Sequence, residues 1–504
     1  MRKTLTAALL VVLGTAMLWG AVWWHWQRTG RSVDGIDLVV YLVFIPVLAW
    51  GAAALLWRAL RRTRTTPEGA AATPSGSSSP SPVHDAAARQ AAALGVQETA
   101  HRLLAGGVAA PGADDAQALL ALAAELQPLA LDPELRAADG FGVFTRRSEH
   151  ADAKPADPGT APAAEEAPRA ARAWRLAMQA VQEPLARLLS AHAAWQPPSA
   201  PDRAPETDHP TLVMPRSAVT AAPSPAVRVV WALPSSWPDH ERQALARAAQ
   251  AWLDRCRRDV PGLQWHGEWL LADSGEQALW QTQQRLALLH REGRHEPVLL
   301  VAADSGLDAG WIDELDAQQR LFTASRPQGW MPGEAAAALL LHPGAPGAPA
   351  GWEDGAPAVF LQPLALRRRE RSADARGPLD TQALEDAFET ALREAGWPAA
   401  DVARVVSDHD LTAGRSAELF RGLLARLPGE DAAERCVCLG SACGHTGIVS
   451  SLLCVLAAAQ LVRDLGAPAC ALPVAHPHDR LAVLLTPAAH APALPPSAAD
   501  APAA

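Results

Sequence analysis

The chain has 504 residues, a formal net charge of −10 at pH 7, 49% hydrophobic residues and 19% charged residues. This length suits one large or two ordinary domains once terminal segments are set aside. The acidic balance, with no basic face, excludes a nucleic-acid partner, because phosphate binding needs one.

Two apolar stretches open the chain, residues 4–24 and 38–57, each near the ~20 residues that span a bilayer. Trp23, Trp24, Trp26 and Trp57 stand near their ends, where interfacial aromatics sit. The first stretch is too long for a cleaved signal peptide and lacks a small-residue cleavage site. Arg2 and Lys3 precede it, while Arg58, Arg61, Arg62 and Arg64 follow the second. The loop between carries Arg28 and Arg31, offset by Asp34 and Asp37. Residues 1–62 are therefore expected to form a two-pass hairpin in a bacterial inner membrane. The positive-inside rule then places the large C-terminal part in the cytoplasm.

Residues 63–84, rich in Pro, Ser, Gly and Thr, read as a flexible tether. Residues 85–225 read as a helical, Pro/Ala-rich accessory region. Leu94, Leu103, Leu104, Leu119, Leu120, Leu122 and Leu126 supply helical periodicity, and another helix is expected over 170–192. From residue 226 strands and helices alternate. Strands are expected at 227–233, 265–272, 297–304, 335–341, 358–361, 436–439 and 481–485, with helices at 240–257, 275–291, 381–395 and 414–427. That alternation defines an α/β core over residues 226–487. Residues 488–504 form an Ala/Pro-rich tail.

The most informative stretch is CVCLGSACGHTGIVSSLLCVLAAAQ, residues 436–460. A strand breaks at Gly440, and an Ala/Leu helix resumes after Gly444, His445 and Gly447. One imidazole thus stands in a glycine-lined turn at a helix mouth, where ligands and oxyanions are held. Cys436, Cys438 and Cys443 lack the C-x-x-C spacing of zinc sites, so no metal is expected. The six cysteines lie in apolar surroundings and read as free thiols of a reducing compartment.

The order of these pieces resembles the thiolase-like fold of β-ketoacyl synthases. PVLLVAADSGLD resembles the strand after the nucleophile helix in that family, and MPGEAAAALLL resembles its G-E-G-A strand. SDHDLTAGRSAE is similar to the first histidine turn, and ACGHTGIVSSLLCVLAAAQL to the G-H-T turn and helix carrying the second histidine. PVAHPHDRLAVLLTP matches the glycine-rich last hairpin loosely, with His476, Pro477 and His478 in place of glycines. The resemblance implies a layered α/β/α core. It also implies a nucleophilic cysteine between strand 265–272 and the helix from Gly275. That junction reads LLADSGEQ and holds no cysteine. Ser274 stands there instead, and a serine needs an adjacent base to act. His409 lies about two positions from the family's first histidine, flanked by Asp408 and Asp410, and reads as a surface salt-bridge former. His445 alone is well placed. Ser274, His409 and His445 are therefore vestigial candidates, and neither a catalytic residue nor a cofactor is expected.

A membrane hairpin joined to a degenerate thiolase-like domain is similar to the adaptor proteins of type VI secretion lipase effectors. The resemblance implies a non-catalytic adaptor that binds a lipase effector and helps load it onto the secretion spike protein. The alternative is a membrane-tethered acyltransferase or acyl-chain-binding protein. It requires Ser274, His409 and His445 to converge on an open tunnel, whereas Trp269 and Leu271 filling that tunnel would exclude it.

Overall fold

In the computed structural model the described residues are 99–488, except 126, 154–160, 195–224, 345–356, 376, 410–411 and 428–431. The expected hairpin, tether and tail lie outside them. The elements, in chain order, begin with β1 (His101–Ala109), α1 (Ala116–Ala124), β2 (Leu131–Arg136) and β3 (Gly142–Phe144). Next come α2 (Pro168–Ala180), α3 (Gln182–Ala194), β4 (Ala226–Pro234), α4 (Asp239–Asp259), β5 (Gln264–Ala272) and α5 (Gly275–Arg291). Then follow β6 (Val298–Ser305), α6 (Ala309–Ala317), β7 (Glu334–His342), β8 (Val359–Leu361), β9 (Ala365–Arg368) and α7 (Gln382–Ala395). The last are β10 (Arg404–Ser407), α8 (Ala413–Leu424), β11 (Cys436–Cys438), α9 (Ser450–Leu465), β12 (Ala469–Ala471) and β13 (Asp479–Thr486).

The strands form one sheet in the order β11-β10-β12-β13-β8-β1-β7-β6-β4-β5, with β9 paired to β13. This order is a duplication. Within the set β1, β4, β5, β6, β7 the strands lie third-second-fourth-fifth-first, and the set β8, β10, β11, β12, β13 repeats it. Directions repeat as well: the second strand runs parallel to the third and fourth, and the fifth runs antiparallel to the fourth and first. The halves join through the antiparallel pair β1–β8.

In each half a long helix follows the third strand, α5 after β5 and α9 after β11. These two helices meet between the halves, in a core that unites Leu279 and Leu286 with Leu452 and Leu456. Helices α2 and α4 cover the outer face of the first half, where Trp174 stacks on Trp231 at 5.7 Å and Trp231 meets Trp252 edge-on at 5.9 Å. Helices α7 and α8 cover the second half through Leu384, Phe388 and Leu419. The segment Gly447–Leu465 is apolar and long enough to cross a membrane, yet 67% of its most apolar window is buried in this core. Its hydropathy reflects the continuous burial of Ser451–Ala459.

Two expectations are corrected. Of the expected helical region 85–225, the described residues are not all helical, because His101–Ala109 form β1, between β8 and β7 in the middle of the sheet. The leucine spacing there was compatible with a helix, but burial along β1 alternates inward and outward before both faces close. Gly106 and Gly107 make this placement possible. A Cβ on Gly106 would lie 2.1 Å from Leu456, and one on Gly107 1.9 Å from the Ala180 carbonyl. The helix expected over 170–192 is two helices broken near Val181. Pro184 lacks an N–H and fits only the first turn of the second helix.

Candidate functional site

The junction between β5 and α5 sets one wall of the site. Ser274 is the N-cap of α5, accepting a hydrogen bond from the Gln277 N–H at 3.2 Å. Its hydroxyl donates to Asp479 Oδ2 at 2.8 Å, and Gln277 Nε2 donates to the same oxygen at 3.0 Å. Arg368 holds the other Asp479 oxygen at 2.7 Å. Burial opposes ionisation of Asp479, but His476, Ser274 and Arg368 outweigh it and hold the carboxyl below its ordinary range. The His476 ring accepts the Asp479 N–H through Nδ1 at 2.9 Å, and burial lowers its pKa to about 4. That imidazole is neutral. Ser274 therefore gives its proton toward a weakly basic carboxylate, not toward an imidazole, and the arrangement caps a helix without activating a nucleophile.

The His445 turn forms the facing wall. Gly444 and Gly447 have φ of 67° and 55°, the left-handed region that glycine adopts freely. The turn is laced to the segment before β7: His445 N–H donates to the Met331 carbonyl at 2.8 Å, and Gly333 N–H donates to the His445 carbonyl at 3.1 Å. A Cβ on Gly447 would lie 1.9 Å from Asp304 Oδ2, and one on Gly333 2.0 Å from the Cys443 carbonyl. The Gly333-Glu334 and Gly444-His445-Thr446 motifs thus pack directly on each other. The His445 ring stacks on Trp330 at 4.0 Å, and the Arg320 guanidinium lies 3.7 Å from the Trp330 ring.

Between these walls lies a cavity of about 260 Å³ that both Ser274 and His445 line. Asp304 accepts from Trp237 Nε1 at 2.9 Å and Arg169 at 3.2 Å, so its charge is balanced. Glu276, two residues past the cap, is 2% exposed and also lines the cavity. Burial, then the charges of Asp408 and Asp479, push its pKa up to about 8. Sequence reasoning passed over Glu276. The available signal was an acidic residue in the first turn of a helix that otherwise packs into the core.

His409 does not line this cavity. It is 6% exposed and meets Phe420 edge-on at 5.6 Å, which corrects the expected surface position. Asp408 turns away from it, accepting from Ser450 Oγ at 2.7 Å and from the amides of Val474 and Ala475 at 2.6 and 2.9 Å. Trp269 and Leu271, whose filling of a tunnel would have excluded acyl chemistry, are 40% and 57% exposed on strand β5. Glu334 is fully buried and structural: Arg172 binds it bidentately, and the Ser148 amide and Ser305 hydroxyl complete its partners. No thiol lines the cavity. Burial raises all six, Cys256 to about 11 and Cys436, Cys443 and Cys470 to about 12, so none is held as a thiolate at neutral pH.

No protein-family model matches the chain, and no curated protein matches it. Its fold is similar to solved ketosynthases. One is the ketosynthase bound to the hexaketide in complex with a type II PKS acyl-carrier protein, with a TM-score of 0.52 and 11% identity. That match covers 77% of this chain and 100% of the other. Another is the ketosynthase from module 1 of the bacillaene synthase of Bacillus amyloliquefaciens FZB42, with a TM-score of 0.50 and 12% identity, covering 81% and 75%. At these identities the likeness establishes the fold alone. The chain has the thiolase-like α/β fold of ketosynthases.

Proposed function

We propose that this protein is a non-catalytic adaptor built on a ketosynthase fold. In this reading residues 1–62 anchor it in the inner membrane with the folded part in the cytoplasm. Its partners are a type VI secretion lipase effector and the spike protein onto which that effector is loaded. The observation that carries the loss of catalysis is the β5–α5 junction. The residue at the helix mouth is a capping serine bonded to an ionised Asp479, and no thiol reaches the cavity. Condensation on this fold needs a covalent acyl carrier atom there. The partner assignment comes from the resemblance of the chain's architecture and paired His motifs to lipase adaptors.

Co-expression of the full chain with a type VI lipase effector, followed by solubilisation and size-exclusion chromatography, tests it. A stable complex is expected, unchanged in Ser274→Ala and His445→Ala, with no turnover of acyl or malonyl thioesters. Acyl transfer that disappears in Ser274→Ala would instead establish the acyltransferase alternative, for which the open cavity shared by Ser274 and His445 speaks.

A further inference from the structure

Strand β5 ends the sheet, and among the described residues it pairs only with β4. The strand at the opposite edge, β11, has three residues, whereas β5 has nine. Strands β4 and β5 run parallel, pairing Ala226 with Gln264 at one end and Pro234 with Ala272 at the other. Gln264 N–H donates to the Pro225 carbonyl at 2.9 Å, and the Ala272 carbonyl accepts the Ser235 N–H at 2.9 Å. Backbone groups of alternate residues point to opposite edges of a strand. The even-numbered residues from 264 to 272 therefore face β4, while Trp265, Gly267, Trp269 and Leu271 turn theirs outward. The Trp265 carbonyl is taken by the Arg257 guanidinium at 2.9 and 3.2 Å. Gly267, Trp269 and Leu271 remain, with three N–H and three C=O groups that have no partner among the described residues. Folded proteins blunt such an edge with short strands, charges or proline. None of these stands at the outward positions, and Trp269 and Leu271 are exposed large apolar side chains. The carboxylate of β5, Glu268, is already held by Arg228 and Arg285.

The free groups identify the occupant. They are centred on Trp269, so a two-fold axis there opposes Gly267 to Leu271 of a second copy and Trp269 to its own counterpart. That pairing satisfies all six groups and leaves none over. The helix beside the strand agrees. The basic last turn of α4, Arg257 and Arg258, lies by Trp265. Its acidic first turn, with Asp239, is tied through Arg242 to Ser235, whose hydroxyl bonds Asp273 at the far end of β5. An antiparallel copy sets the basic end of each α4 toward the acidic end of the other. We propose that β5 is a dimerisation edge, on which a second copy of this chain adds its own β5, antiparallel and centred on Trp269. The inference rests on this edge and stands apart from the adaptor assignment.

Disulfide cross-linking of the detergent-solubilised full chain tests the register. Opposed residues of a hydrogen-bonded antiparallel pair have Cα atoms about 5.5 Å apart, within reach of a disulfide. Trp269→Cys, oxidised with copper phenanthroline, is expected to run as a covalent dimer on non-reducing gels, in excess of the unmodified chain treated alike. Leu271 lies four residues along the strand from its counterpart, about 14 Å, so Leu271→Cys is expected not to exceed the unmodified chain. Light scattering, with the detergent subtracted, is expected to give the unmodified protein twice the mass of one chain and Trp269→Lys the mass of one. The cross-links keep the test decisive should the lysine variant fail to fold. A one-chain mass for the unmodified protein, a two-chain mass retained by Trp269→Lys, no excess cross-link in Trp269→Cys, or an equal one in Leu271→Cys would overturn the proposal.

Discussion

His101 gives a quantitative test of how this fold responds to acid. It is fully buried at the start of β1, and its Nδ1 accepts the Gly344 N–H at 3.0 Å. Protonation would put a hydrogen on an atom that already faces one, inside a core that desolvates the charge. Burial, and then His290 and His342, lower its pKa from 6.5 to about 3. A base whose folded pKa lies below its unfolded pKa contributes stability that is intact above the unfolded value and is lost as pH falls beneath it. From pH 6.5 to pH 5 the unfolded state gains the proton and the native state does not, which costs about 1.4 kcal/mol per pH unit, or about 2 kcal/mol in all. The comparison should be made against His101→Gln, which keeps an acceptor but does not titrate. Glu276 runs in the opposite sense: its raised pKa makes its contribution fade as pH rises from about 4.5 to about 8. The variant keeps Glu276, so the difference between the two proteins removes that contribution. Urea denaturation followed by tryptophan fluorescence at pH 7.5 and pH 5 is the assay. The stability difference, wild type minus variant, is expected to fall by about 2 kcal/mol between the two pH values. A difference that stays constant would refute the claim that His101 is held neutral by its surroundings.

Gly447→Ala should destabilise the protein by at least ~2 kcal/mol, because the new Cβ would both sit at positive φ and strike Asp304; a melting temperature equal to wild type would show the turn is not constrained as described. Glu418→Ala should cost about 3–5 kcal/mol in chemical denaturation, since it strands the buried Arg480 that Glu418 binds bidentately and Arg369 beside it. The four buried thiols, Cys256, Cys443, Cys454 and Cys470, should resist a disulfide reagent in native protein at pH 8, reacting more slowly than half-buried Cys436 and Cys438, and all six should react after denaturation. More than two fast-reacting native thiols, read by absorbance, would contradict the burial of those four.

Much of the fold from residue 226 onward could be read from sequence because its signals are local. Strand β6 is a run of apolar residues bounded by Pro297 and an Asp-Ser end. Helix α5 begins at a Ser-Gly cap, and α9 is an unbroken Ala/Leu segment after glycines. Short strands such as β10 and β12 were not legible, because three or four residues carry no periodicity of their own and are strands only through their neighbours. Strand β1 was misread for a related reason: its leucines fit a helix, and only pairing with β7 and β8 makes them a strand.

The candidate site divides the same way. The sequence alone determined the absence of a cysteine at LLADSGEQ and the glycine-flanked position of His445, because both are statements of residue identity and order. It also placed Ser274 at the junction between strand 265–272 and the helix from Gly275, while its role as the helix cap came from the structure. Tertiary structure decided the rest. Asp479 lies 205 residues from Ser274 in the chain, yet receives its hydroxyl proton. His409 went from an expected surface residue to a buried one, because folding packs its ring against Phe420. Glu276 acquired its character first from burial and then from Asp408 and Asp479, which folding brings near it. A charge's energy depends on solvent exclusion and on neighbours distant in sequence, and neither is written in the order of residues around it.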